Sequence, residues 1–155
     1  MSANASTPLA VAPTPQAVAA HMLAGDRATR AMGMRIDAVG DGTATLSMPV
    51  RDDMLNGHGI CHGGFITTLA DSAFAFACNA RNVVTVASGL SVEFLKPAQG
   101  GDVLTATAVE VSSHGRTGIW DMTVVNGAGE RIALVRGKAH RLEGRSVMPV
   151  DGAGA

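Results

Sequence analysis

The strongest constraint in this chain lies at residues 56–79, NGHGICHGGFITTLADSAFAFACN, where a polar, glycine-broken loop runs into one apolar helix. The first nine residues of that stretch hold four glycines, two histidines and a cysteine. Glycine at such density lets a backbone turn sharply and come close to a bound group. From Gly63 onward, Phe65, Ile66, Leu69, Ala70, Ala73, Phe74 and Ala77 leave almost no solvent-facing side, the pattern of a helix packed on nearly every face. The rest of the chain must therefore wrap around it. Thr67, Thr68, Asp71 and Ser72 fall at i, i+1, i+4 and i+5, so the 3.6-residue period gathers the helix's polar residues on one stripe.

The flanking segments supply short strands. Residues 15–32 read as a peripheral helix, with proline at its start and Gly33 beyond its end. Residues 34–39 and 43–50 form a hairpin across Gly40, Asp41 and Gly42, with Pro49 placing the second strand's end near an edge. After the helix come strands at 83–87 and 89–95, the latter half-buried through Leu90, Val92 and Phe94. Further strands follow at 103–112, 117–126 and 131–141, and the Asn126, Gly127 pair marks a hairpin turn. Consecutive hairpins with one long helix inserted early predict an α+β fold with an antiparallel sheet. The 155 residues suit one domain, expected over 15–142. Residues 1–14, rich in Ala, Pro, Ser and Thr, are expected to be a disordered lead, and 143–155 a disordered tail.

Charge narrows the partners. A formal net charge of −1 with 16% charged residues provides no broad basic surface for nucleic acid or anionic lipid. No apolar run is long enough to span a bilayer and the start lacks a signal-peptide pattern, so no membrane partner is expected. The two cysteines, Cys61 and Cys78, form neither a C-x-x-C pair nor a disulfide ladder, which suits a reducing cytoplasm.

The loop and the stripe carry the chemistry. Gly63 and Gly64 open the helix N-terminus, whose free N–H groups can hold a phosphate or the oxyanion formed when a nucleophile adds to a carbonyl. No lysine or arginine stands between Arg51 and Arg81, so a P-loop is absent and acyl chemistry fits better. Asp71 has no Lys or Arg at i±3 or i±4. It is either a hydrogen-bonded structural carboxylate or a general base or nucleophile, and the lack of a local cation favours the working role. Asn56 could hold a water or the carboxylate, and Ser72 offers a hydroxyl beside it; each could equally cap a turn. His58, Cys61 and His62 lack a second ligand pair further along, so no metal is expected, and His62 is read as fixing the loop or the carbonyl. Gly63 and Asp71 stand eight residues apart, about 12 Å along one helix axis. A site using both requires two chains, hence at least a homodimer.

The stretches NGHGICHGG and ADSAFAFACN, together with SVEFLKPA, RTGIWD and VRGKAHR, resemble the hotdog-fold acyl-CoA thioesterases, and within them the branch named for phenylacetic acid degradation. The resemblance covers about 30–142. It implies an antiparallel sheet wrapped around one long central helix, in dimers that pair into homotetramers. It implies a hydrolase acting on a coenzyme A thioester of a small, phenylacetyl-like acyl group, with no cofactor. Gly63 would give its N–H to the thioester carbonyl and Asp71 would be base or nucleophile, supported by Asn56, His62 and Ser72. Gly64, Ser88 and Gly89, with the turn Ser113, His114, Gly115, Arg116 and Thr117, would bind the pantetheine and nucleotide. Rival readings are a hotdog hydratase or dehydratase and a non-catalytic acyl-CoA binder.

Overall fold

The computed structural model describes residues 11–150. In chain order the elements are α1 (Pro15–Gly25), α2 (Arg27–Ala31), β1 (Arg35–Gly40), β2 (Thr43–Pro49), a 3-10 turn (Asp52–Met54), α3 (Gly63–Asn79), β3 (Val83–Phe94), β4 (Val103–His114), β5 (Thr117–Val125) and β6 (Arg131–Ser146). The six strands form one sheet in the order β1-β2-β4-β5-β6-β3, every neighbouring pair antiparallel. The expected α+β architecture is present, with α3 lying against the sheet.

The central helix is held at both ends by its own side chains. His62 caps it, its Nδ1 accepting the Gly64 N–H at 3.0 Å. Thr67 and Thr68 donate to the carbonyls of Gly63 and Gly64, each at 2.8 Å, tying down the first turn. At the other end Asn79 donates to Ala75 and Thr85 carbonyls and accepts from the Thr85 N–H at 2.9 Å. That amide satisfies orphan helix carbonyls and stitches the helix end to β3. The apolar face packs on Leu46, Leu104, Met122 and Val135, and Phe74 lies 5.7 Å, centroid to centroid, from the fully buried Trp120. Trp120 places its Nε1–H on the Gly42 carbonyl at 3.0 Å. Gly137 lets β6 close over Phe74: a Cβ there would stand 2.8 Å from its ring. Truncating a residue so enclosed, such as Leu69→Ala, is expected to cost about 2–5 kcal/mol.

Several boundaries differ from the sequence expectation. The helix of 15–32 breaks at Asp26, whose carboxylate caps α2 by accepting from the Thr29 N–H at 2.9 Å, so a local side-chain bond ends one helix and begins the next. Segments 83–87 and 89–95 are one strand with a bulge between Ala87 and Gly89. The bulged Ser88 sends its hydroxyl to the Lys138 carbonyl. The last strand does not stop at 141: it runs to Ser146, where it pairs with Val83, and Asn82 and Met148 exchange two further bonds. Strand β6 thus continues past 142, into the stretch expected to be tail. Residues 1–10 and 151–155 of the expected lead and tail lie outside the described residues, and 11–14 carry no helix or strand. The Asn126, Gly127 signal marks a longer connection, closed by Asn126 with Glu130 and with Gly129 as its left-handed residue. Among the described residues no helix is long and apolar enough to cross a membrane.

Candidate active site

The loop before α3 is pinned from several sides. The Cys61 N–H donates to Ala98 at 2.8 Å and the His62 N–H to Met54 at 2.9 Å. Asn56 folds its side chain back, Oδ1 accepting the His58 N–H at 2.9 Å and the Ile60 N–H at 3.4 Å. Its amide nitrogen has no partner among the described residues. The two glycines differ: the Gly64 N–H is taken by His62, whereas the Gly63 N–H has no acceptor among the described residues. Gly63 borders a cleft of about 480 Å³ lined by Asn56, Ile60, Cys61, Ile66 and the segment Phe94, Leu95, Lys96 and Pro97. The cleft thus couples a free donor at a helix N-terminus to an apolar chamber large enough for a small acyl group. Lys96 at its rim is held by Glu130 at 2.6 Å. Cys61 is not a nucleophile in waiting, because burial raises its thiol pKa.

Asp71 stands elsewhere. It is half-buried, makes no hydrogen bond or ion pair among the described residues, and does not line the cleft. Loss of hydration raises its carboxyl above the ordinary aspartate range, as suits a proton acceptor. Ser72, its neighbour, meets the Thr29 hydroxyl at 3.4 Å and so faces α2.

A second group gathers beyond the middle of α3. Gly89 pairs with Lys138, which pairs with Ile119, so the β3 bulge lies two strand spacings, roughly 10 Å, from the start of β5 just past the β4–β5 turn. Gly115 takes the left-handed conformation the turn requires, and Thr117 donates to the His114 carbonyl. Arg116 is engaged with Glu143 at 2.9 Å, both side chains largely exposed. Arg141 is different: half-buried, it donates to the Ser113 hydroxyl at 2.5 Å and the Gly115 carbonyl at 3.5 Å, with no carboxylate partner among the described residues. Sequence reasoning missed Arg141 because nothing local distinguishes it from other surface arginines. It missed Phe94 by counting it among inward strand positions, although the following Lys96 and Pro97 mark a strand end.

Comparisons with known proteins place the chain in a family. A family model described as the thioesterase superfamily matches residues 58–133. The chain is 43% identical to the acyl-coenzyme A thioesterase PaaI of Escherichia coli over 79% of its own length and 88% of that protein. The chain belongs to the thioesterase superfamily. The solved E. coli PaaI structure, from the phenylacetic acid degradation operon, superposes with a TM-score of 0.83 at 41% identity, covering 84% of this chain and 95% of that one. A Streptococcus mutans protein solved with acetyl-CoA gives a TM-score of 0.70 at 25% identity, covering 73% and 91%. The fold is therefore the hotdog, and this member of the superfamily is a hydrolase acting on acyl-CoA thioesters.

Proposed function

We propose that the chain hydrolyses a coenzyme A thioester of a small aryl-acyl group, phenylacetyl-like, at a site built from two subunits. One observation carries the reading: the Gly63 N–H, free among the described residues, opens on an apolar cleft lined by no carboxylate, while Asp71, unpaired among them, stands about 12 Å along the same helix. A base works within about 3 Å of the atom it serves, directly or through one water. The Asp71 serving one Gly63 is accordingly the partner's.

The geometry supports one way of pairing. Gly63 lies against Phe94, and Phe74 against Gly137, which pairs with Leu90. Asp71 precedes Phe74 by three residues, about 4.5 Å, and so is level with the stretch between Leu90 and Val92. Antiparallel pairing of two β3 edges about an axis beside Val92 brings each Asp71 toward the other chain's Gly63. Ser88, Gly89, the 113–117 turn and Arg141 then belong to the subunit that supplies Asp71, and they would hold the pantetheine and nucleotide phosphates. Arg141, with no acid partner among the described residues, is the stronger phosphate contact; Arg116 is already neutralised by Glu143.

In the reaction the Asp71 carboxylate takes a proton from a water whose oxygen adds to the thioester carbon, or itself adds to that carbon to form an acyl-aspartyl anhydride that water then hydrolyses. The carbonyl oxygen becomes an oxyanion held by the Gly63 N–H, the C–S bond breaks, and the CoA thiolate leaves to be protonated. Rapid-quench mass spectrometry within a single turnover separates the routes, since only attack by Asp71 leaves an acyl group on the chain. Asn56 and His62 hold the loop and Ser72 docks the helix on α2. The two free, buried thiols suit the cytoplasm, and two such dimers would make a homotetramer. The test is a panel of acyl-CoAs scored by thiol release, with phenylacetyl-CoA expected among the best substrates; equal rates on all acyl groups would remove the aryl assignment, and conversion without free thiol would indicate a hydratase.

A further inference from the structure

We infer that Phe94 sets which acyl groups the cleft accepts; the inference rests on the acyl group occupying the cleft beside Gly63. Phe94 ends β3, and the chain stays attached to β6 just beyond it, the Leu95 and Lys96 N–H groups donating to the Ile132 carbonyl at 2.8 and 3.3 Å. Four residues after Phe94, Ala98, fully buried, receives the Cys61 N–H on its carbonyl. The strap from Phe94 to Ala98 is thus anchored at both ends, once to the sheet and once to the glycine loop, and its backbone cannot retreat without breaking those bonds. The ring is another matter. It rests on Gly63, and a Cβ built there would meet its Cζ at 2.8 Å and its Cε atoms at 3.2 Å. Yet Phe94 is 54% exposed, a large aromatic held on one side by the α-carbon of the proposed oxyanion residue and free on the other.

Two consequences follow. The aromatic wall nearest the reacting carbonyl is Phe94 itself, positioned for edge or offset stacking with an aryl acyl group and against a long flexible chain. Gly63, for its part, is required for more than its N–H. Any side chain at 63 other than proline keeps the N–H but drives the ring outward into the acyl space, so the glycine and the phenylalanine form one coupled unit.

The experiment measures binding and turnover separately. Non-hydrolysable thioether analogues carrying phenylacetyl-like and straight eight-carbon chains are titrated into wild type, Phe94→Ala and Phe94→Tyr by calorimetry, with assembly checked by light scattering. Phe94→Ala should shift the aryl-to-straight-chain affinity ratio by about tenfold or more toward the straight chain, whereas Phe94→Tyr should hold it within about twofold. In turnover, Gly63→Ala should lose about tenfold or more in kcat/KM, and adding Phe94→Ala to it should restore most of that loss. A ratio unchanged in Phe94→Ala, or a change only in assembly, overturns the inference, as does a Gly63→Ala defect that Phe94→Ala leaves in place. If wild type binds the analogues but prefers neither acyl class, the aryl substrate assignment fails while the double-variant rescue still decides the coupling of Gly63 and Phe94.

Discussion

The sheet has two edges, and they are built differently. β1 is six residues long, bulged between Ile36 and Ala38, carries Arg35 and Asp37, and is strapped by Gln16, whose Nε2 donates to the Val39 carbonyl at 3.0 Å. Short length, a bulge, charge and a cover are the usual guards against a second chain pairing there. β3 is twelve residues long, has Glu93 as its single charged residue, and runs without a bulge from Gly89 to Phe94. It leaves Val86 at 46%, Leu90 at 38% and Phe94 at 54% exposure. An edge so long and apolar is a liability unless another strand covers it. The difference teaches that, of the two edges among the described residues, β3 is the less guarded, and β3 is also the strand that ends against Gly63.

The sharpest break is chemical. Asp71→Asn keeps the shape of the helix and removes the base, so turnover should fall about a hundredfold or more with folding and assembly intact. Near-normal turnover by that variant would make Asp71 structural and leave the β3 edge without a catalytic purpose. The same residue gives a pH signature. Burial raises its pKa, so the ionised form is lost as pH falls through a value above the ordinary aspartate range. The acid limb of kcat/KM should lie there and disappear in Asp71→Asn. For stability the sign is reversed relative to an ion-paired carboxylate: the folded chain holds the extra proton, so stability falls as pH rises between the ordinary and raised values. Denaturant melts of wild type and Asp71→Asn across that window should converge at low pH.

Mixing tests the shared site itself. Asp71→Ala and Gly63→Pro chains, each inactive alone, should on co-refolding give half heterodimers with one intact site each, about a quarter of wild-type activity. Gly63→Pro loses the N–H and presses on Phe94, while proline remains tolerable at a first helical position. Heterodimers shown to form without activity would sink the two-chain site.

A smaller effect compares the edges directly. Leu90→Lys puts a charge into the proposed apolar seam and should raise the dimer dissociation constant by about tenfold, about 1.4 kcal/mol, in sedimentation. Asp37→Lys on β1 should leave it unchanged. Equal responses at the two edges would remove the contrast. Smallest is the nucleotide contact: Arg141→Ala should raise KM for acyl-CoA several-fold in a salt-dependent way, while Arg116→Ala stays within about twofold because Glu143 already neutralises it.

Much of the architecture was legible in the chain because it depends on neighbours in sequence. The apolar helix with one polar stripe, the glycine opening at Gly63, the hairpin of β1 and β2, and the run of later strands are local patterns of period and turn chemistry. Where local bonds compete, the reading slipped: Asp26 split a helix that periodicity alone continues, and the last strand outran its apolar alternation because β3 offered partners as far as Ser146.

What the sequence by itself determined is the helix that organises the core, the antiparallel sheet, and the separation of Gly63 from Asp71, since helical rise follows from residue count. Among the described residues, only the tertiary structure decided that the Gly63 N–H is free while that of Gly64 is capped, that Phe94 rests on Gly63, that Arg141 lacks an acid partner where Arg116 has one, and that β3 lies at an unguarded edge. Each of these depends on which distant residues meet. Burial, pairing and edge position are properties of contacts across the fold, and periodicity carries information about a residue's own element alone.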